Sequence, residues 1–219
     1  MKEMDLKIKL VEHLLKFSSS YDQIVNSEYS FQFGSRRADI VSISGDMATV
    51  FEIKSERDNT EKLVAQIEDY KKYFDFCYVV CERSNLKSVR EKAPLNIGII
   101  IIDTEIHYIR KAKQIKRLNK LSLTSTLSTK TLNKISSESY SDKFSKCLQA
   151  SKENTSKFLR ITSRKEMRNN VYSIYSQFLE DIGDVITADD IYQLSRAPAG
   201  DIVVSHQSAL LNSTLEVIK

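Results

Sequence analysis

Glycine, proline and cysteine are all scarce in this chain. Its 219 residues include five glycines, two prolines and three cysteines. Five glycines are too few for a glycine-rich phosphate cradle, and no P-loop spacing occurs, so ATP-driven chemistry is not expected. An odd, low cysteine count without regular pairing predicts reduced thiols and a cytoplasmic setting. Cys77 and Cys81 fall in one apolar run, where they fill core rather than share a metal. No stretch approaches the roughly 18 apolar residues of a membrane helix, so no membrane association is expected. Met1 to Leu15 are amphipathic and lack the unbroken apolar centre of a signal peptide. His13, His107 and His206 are scattered, without metal-ligand spacing. The last absence is local: no Asp or Glu lies between Glu105 and Glu138.

That acid-free stretch carries Arg110, Lys111, Lys113, Lys116, Arg117, Lys120, Lys130 and Lys134. Such a block suits phosphate backbones, which attract cations regardless of sequence. A solvated linker or helix face is the equal alternative. The net charge of +4 does not make the whole protein a basic tail, and a hydrophobic content of 41% predicts a globular chain. Its length suits one domain with a good core plus an extension.

The chemistry concentrates in a hairpin. Arg37 to Ile43 and Met47 to Lys54 are strand-like, and Gly45-Asp46 between them is a two-residue turn signal. Ser44 then faces Met47, Val41 faces Val50, and Asp39 faces Glu52. Side chains alternate along a strand, so Asp39, Val41, Val50, Glu52 and Lys54 share one face, and Ile40, Phe51 and Ile53 the other. Opposed carboxylates about 5 Å apart repel and need a partner. A hard cation such as Mg²⁺ takes oxygen ligands and keeps several waters. Two carboxylates and a lysine at one spot form the pattern of a divalent-metal site for phosphodiester hydrolysis; an exposed hairpin with solvated charges is the bland alternative.

Asp39, a gap of twelve residues, Glu52, one apolar residue and Lys54 together resemble the PD-(D/E)XK nuclease superfamily, with Ala38 where the motif's leading proline usually stands. Gln66 and Tyr70 form Q-x-x-x-Y on the following helix, similar to the RecB-type branch. Glu12, on an N-terminal amphipathic helix, resembles the helix-borne Glu of archaeal Holliday-junction resolvases, and Glu28 competes for that role. The resemblance covers roughly residues 1 to 110 and is closest to small, largely uncharacterised bacterial proteins. It implies that Asp39 and Glu52 bind Mg²⁺ (or Mn²⁺), helped by the Ile53 carbonyl. It further implies that Lys54 assists the attacking water and that Gln66 orients Lys54 or contacts substrate. Candidate substrate contacts are Tyr70 and the basic Lys111, Lys113, Lys116 and Arg117.

Apolar periodicity supplies the frame. Leu6, Ile8, Leu10, Val11, Leu14 and Leu15 have helical spacing. Asp58, Asn59 and Thr60 offer a cap for a helix striped by Leu63, Ile67, Tyr70 and Phe74. Phe76 to Cys81 and Ile97 to Ile102 read as buried strands, joined through a short helix at Asn85 to Lys92 that stops near Pro94. Asp103-Thr104 turns into Ile106 to Ile109. This order predicts an α/β fold: a restriction-endonuclease-like mixed β-sheet flanked by helices. The expected organisation is a nuclease-like core over 1–110, a basic Ser/Thr/Lys-rich connecting segment over 111–160, and a helical C-terminal extension over 161–219. Within the second, Leu121, Leu123, Leu127 and Leu132 suit a small helix-turn-helix-like pair or a tethering arm. Ser163 with Glu166, and Thr187 with Asp190, form capping boxes in the third.

The expected function is a Mg²⁺-dependent nuclease acting on DNA, in repair, recombination or defence against foreign DNA. A homodimer is compatible with the helical extension. A non-catalytic nucleic-acid-binding module on the same fold is the first alternative, and a nuclease toxin held by an immunity partner the second.

Overall fold

Strands β2 (Arg36–Ser44) and β3 (Met47–Lys54) pair antiparallel with Ser44 opposite Met47 and Val41 opposite Val50, the register the sequence predicts. Gly45 has a φ of +54° in the turn between them, a backbone state that glycine adopts without steric cost. The computed structural model describes residues 1–16, 23–138, 140–182 and 203–205.

Around this hairpin lie α1 (Glu3–Lys16), β1 (Ile24–Phe31), α2 (Leu63–Tyr70), β4 (Phe76–Cys81), α3 (Leu86–Lys92), β5 (Gly98–Ile102), β6 (Ile106–Arg110) and β7 (Val203–Ser205). Together the strands form one mixed sheet in the order β6-β5-β4-β3-β2-β1-β7. Pairing is parallel across β3, β4 and β5 and antiparallel elsewhere. Period-two alternation sends Val41, Val50, Val79 and Ile99 to one face, where Leu63, Ile67 and Tyr70 of α2 and Val89 of α3 cover them. Ile40, Phe51, Ile53, Val80 and Ile100 go to the other face, under Leu6, Leu10 and Val11 of α1. With both faces covered, β4 and β5 read as unbroken apolar runs.

The predicted connecting segment is a packed helical unit. Its helices are α4 (Lys120–Ser125), α5 (Thr129–Ile135) and α6 (Lys143–Glu153), followed by α7 (Ser156–Ile182). Asn119, Ser128 and Asp142 cap the first three through backbone N–H groups. Leu127, Leu132, Cys147 and Ala150 form a small core of their own. Two predicted caps fail. Asp58, Asn59 and Thr60 bond Ser55, Glu61 and Ser88 instead of closing α2. Ser163 lies inside α7, fully buried, and its hydroxyl meets that of Thr126; the helix instead starts behind Thr155, whose Oγ1 accepts from the Phe158 N–H. The box at Thr187 and Asp190 lies outside the described residues.

One buried ion pair ties α7 to the sheet. Asp75, just before β4, accepts from the Ala48 N–H at 2.9 Å and from Arg164 Nε and Nη2 at 3.1 and 3.0 Å. Arg164 Nη2 also donates to the Tyr73 carbonyl at 2.6 Å. Both side chains are at most 1% exposed, and without Arg164 the Asp75 carboxylate keeps only the Ala48 N–H and the more distant Arg160, 3.6 Å from Oδ1. Arg164→Ala is therefore expected to cost about 3–5 kcal/mol of stability, read as a lowered urea midpoint.

Candidate active site

Glu52 is buried at the face of β3 that α2 covers. Its carboxylate collects three donors. Lys54 Nζ reaches Oε1 at 2.7 Å, Gln66 Nε2 donates to the same oxygen, and the Tyr70 hydroxyl donates to Oε2. Lys54 also donates to Gln66 Oε1 at 3.1 Å. The i, i+4 spacing of Gln66 and Tyr70 puts both on the side of α2 that faces β3. The predicted Q-x-x-x-Y pair and the Glu52/Lys54 pair thus meet as one network. Tyr70 is only 1% exposed, so it holds Glu52 in place and is not available as a substrate contact, which corrects that expectation. Its phenol is pushed well above the usual range by burial and by the Glu52 charge.

Asp39 arrives differently from the simple strand count. The β2–β3 ladder ends at Ile40 opposite Phe51. Beyond it, Asp39 Oδ2 accepts the Ile53 N–H at 2.7 Å. The β1–β2 ladder also skips its step between Ser27–Ile40 and Tyr29–Ala38, where Glu28 faces Asp39. Glu28 has a φ of +53°, a left-handed state costing on the order of 1–3 kcal/mol for a residue with a side chain. Strand alternation breaks there: Ala38 packs with the Val41 core while Ile40 packs with the α1 core. The result brings carboxylate oxygens of Glu3, Glu28 and Asp39 within 4.8 Å of one another. These three carboxylates could share one cation, the Glu52 charge is also felt at Asp39, and the Asp39 link to Ile53 runs through the N–H.

Lys7 stands in for that cation. Its Nζ lies 2.7 Å from Glu3 Oε1 and also donates to Glu28 Oε1, and the side chain is buried. Burial works against the ammonium, but the bonds to Glu28 and Glu3 outweigh it and raise its pKa. Arg37 Nε adds a second cation on Glu28 Oε2 at 2.6 Å. Three carboxylates against two side-chain cations leave the cluster one positive charge short of neutrality. Asp39 feels this most. Burial first, and the neighbouring Glu52 charge second, raise its pKa to about 7, against the opposing Ile53 N–H bond and Lys7.

The other predicted residues lie elsewhere. Glu12 is nine residues, or about 14 Å, along α1 from Glu3. It lines a shallow cleft with Ile102, Thr104 and Ile106 and does not join the carboxylates of Glu3, Glu28 and Asp39. The basic segment runs past the opposite end of the sheet: the Ile115 N–H bonds the Asp75 carbonyl, and Asp75 N–H bonds Ala48 at the start of β3. Ala48 precedes Glu52 and Lys54 by four and six residues, roughly 13–20 Å of strand. Lys111, Lys113, Lys116 and Arg117 therefore do not adjoin the carboxylates. Sequence reasoning missed Glu3 and Lys7. Their i, i+4 spacing on the helix was the available signal.

Two outcomes follow from the electrostatics. Asp39 has a folded pKa above its unfolded value near 3.8. The folded state then binds more protons in that window, so its contribution to stability falls as pH rises from about 4 to about 7. Urea titrations should show this fall in the metal-free wild type and its loss in Asp39→Asn. Lys7→Met, which removes the ammonium shared by Glu3 and Glu28, should lower the melting temperature, at roughly 2–4 °C per kcal/mol.

Protein cII of Enterobacteria phage P4 is 28% identical over 125 residues, which are 55% of this chain and 47% of that protein. The chain thus spans about half the length of that curated relative. A solved protein of unknown function from Silicibacter pomeroyi shares 19% identity at a TM-score of 0.41, over 54% of this chain and 76% of that one. The family model for bacteriophage P4 protein cII matches residues 1–195, and the chain belongs to that family.

Proposed function

We propose that this protein is a Mg²⁺-dependent nuclease that hydrolyses phosphodiester bonds in DNA. The observation that carries this is the meeting of Lys54, Glu52 and Gln66 in one hydrogen-bonded network at the end of the strand where Asp39 joins Glu28 and Glu3. An all-carboxylate donor set suits a hard, oxygen-seeking cation, and the ammonium of Lys7 already marks where positive charge is needed. Asp39, Glu28 and Glu3 would hold the ion. Once bound, it would supply a more acidic water and neutralise charge on the phosphate.

The chain's own groups do the rest. Glu52 and Gln66 fix the Lys54 ammonium, so its charge is directed rather than swinging on a free stem. Tyr70 holds Glu52 from the core side. Lys7 and Arg37 lower the repulsion between an approaching phosphate and the carboxylates. RecB-type and resolvase-like members of the PD-(D/E)XK superfamily are the nearest functional template for this set.

The supporting experiment is Mg²⁺-dependent cleavage of single-stranded, double-stranded and branched DNA. Asp39→Ala, Glu52→Ala and Lys54→Ala are each expected to lose on the order of 10²-fold or more in rate while keeping a wild-type circular dichroism spectrum. Full activity in any of the three overturns the assignment. A nucleic-acid-binding module without cleavage is the second reading, favoured by one observation: Lys7 already neutralises much of the cluster. DNA binding with no metal-dependent product would select it.

A further inference from the structure

The turn joining β1 to β2 lifts an aromatic ring out of the fold. Gln32 and Phe33 both have positive φ, at +51° and +56°, before Gly34 at +85°. Phe33 is left 49% exposed by this costly backbone. Phe144, at the start of α6, is 54% exposed, with its ring centroid 6.3 Å from that of Phe33. Lys143 Nζ lies 5.8 Å from the centre of the Phe33 ring. Beside them opens a cleft of about 290 Å³, floored by Tyr29 and Phe31 and rimmed by Gly34, Thr126 and Lys143. Arg36, two residues beyond Gly34, is more than half exposed although paired with Asp69. A guanidinium has five donors, so one carboxylate partner leaves others for a phosphate.

We infer that this cleft binds single-stranded nucleic acid, with an unpaired base stacked on Phe33 beside Phe144 and the flanking phosphates on Lys143 and Arg36. Two chemistries select this ligand together. The aromatic faces suit a planar, polarisable group, and the cations around them suit a phosphate backbone. Paired bases keep their faces inside the helical stack, so only an unpaired strand offers one. Asp142, beside Lys143, stays ionised with its carboxylate on the Ser145 N–H at the cap of α6, so the phosphates would sit on the far side of Lys143 from it. From Arg36, β2 runs three residues to Asp39, roughly 10 Å, so a strand gripped here extends toward the carboxylates. The choice of a nucleic acid as ligand rests on the nuclease reading; the position of the grip does not.

The test is fluorescence anisotropy with labelled oligonucleotides in EDTA, where no cleavage intervenes. Phe33→Ala is expected to weaken single-strand binding five- to twentyfold, and Phe33→Leu to weaken it similarly, since it keeps apolar bulk but loses the ring. Phe33→Trp should restore it. An oligonucleotide of alternating bases and abasic sites should bind wild type more weakly and lose little further in Phe33→Ala. Duplex affinity should be insensitive to these changes. Wild-type single-strand affinity in both Phe33→Ala and Phe33→Leu, or no single-strand binding by wild type, overturns the inference. Cleavage by wild type with no effect of Phe33 on binding removes this grip and leaves the nuclease reading standing. Ring-dependent binding without cleavage does the reverse.

Discussion

A carboxylate buried as deeply as that of Glu52 must find its donors inside the protein, and much of the architecture follows from that need. Lys54 comes from the same strand, two residues on. Gln66 and Tyr70 come from α2, which fixes both the rotation of that helix about its axis and its height over β3. An apolar stripe alone would let a short helix slide; three donors on one carboxylate do not. The same demand recurs at Asp39, Glu28 and Glu3, where Lys7 supplies the charge from the opposite layer. Helices on both faces of the sheet are thus registered against its carboxylates as well as against its apolar core.

The strand framework was legible because its signals are local. The Gly45-Asp46 turn fixed the hairpin register, and period-two alternation separated Val41 and Val50 from Ile40 and Phe51. Phe76 to Cys81 announced a strand covered on both sides. The meeting of Gln66 with Lys54 was also readable, through family resemblance, whereas its bond to Glu52 was not. The behaviour of Asp39 was not. It depends on a broken ladder step and on the left-handed Glu28, neither of which leaves a mark in residue spacing. Glu12 drew attention by resemblance, but Glu3 lies one end of the helix nearer the cluster, and only docking decides that.

Long-range placement explains the remaining differences. The basic stretch after Glu105 reads as a neighbour of the hairpin in sequence terms, yet it passes the far end of β3, held by backbone bonds at Asn96, Asp75 and Lys72. Ser and Thr, which make residues 121–137 look like a linker, instead cap helices and back-bond to carbonyls at Asn119–Thr126 and Ser128–Thr131. Polar composition there encodes short helices packed on a small core rather than an extended tether. Asp75 and Arg164, far apart in the chain, could not be paired from sequence at all.

Every side chain of the carboxylate cluster and of the Glu52 network lies between Glu3 and Tyr70. Among the described residues, the helices from α4 onward contribute none of them. They touch the chemistry only indirectly, through α7 and Asp75 at the opposite end of β3 and through the rim of the Phe33 cleft. The molecule is therefore modular in a practical sense. Exchange of the segment after residue 120 between relatives would leave the reacting groups in place only where it kept the seat of Met167 in the main core, the Arg168 bond to Gly45 and the pairing of β7 with β1.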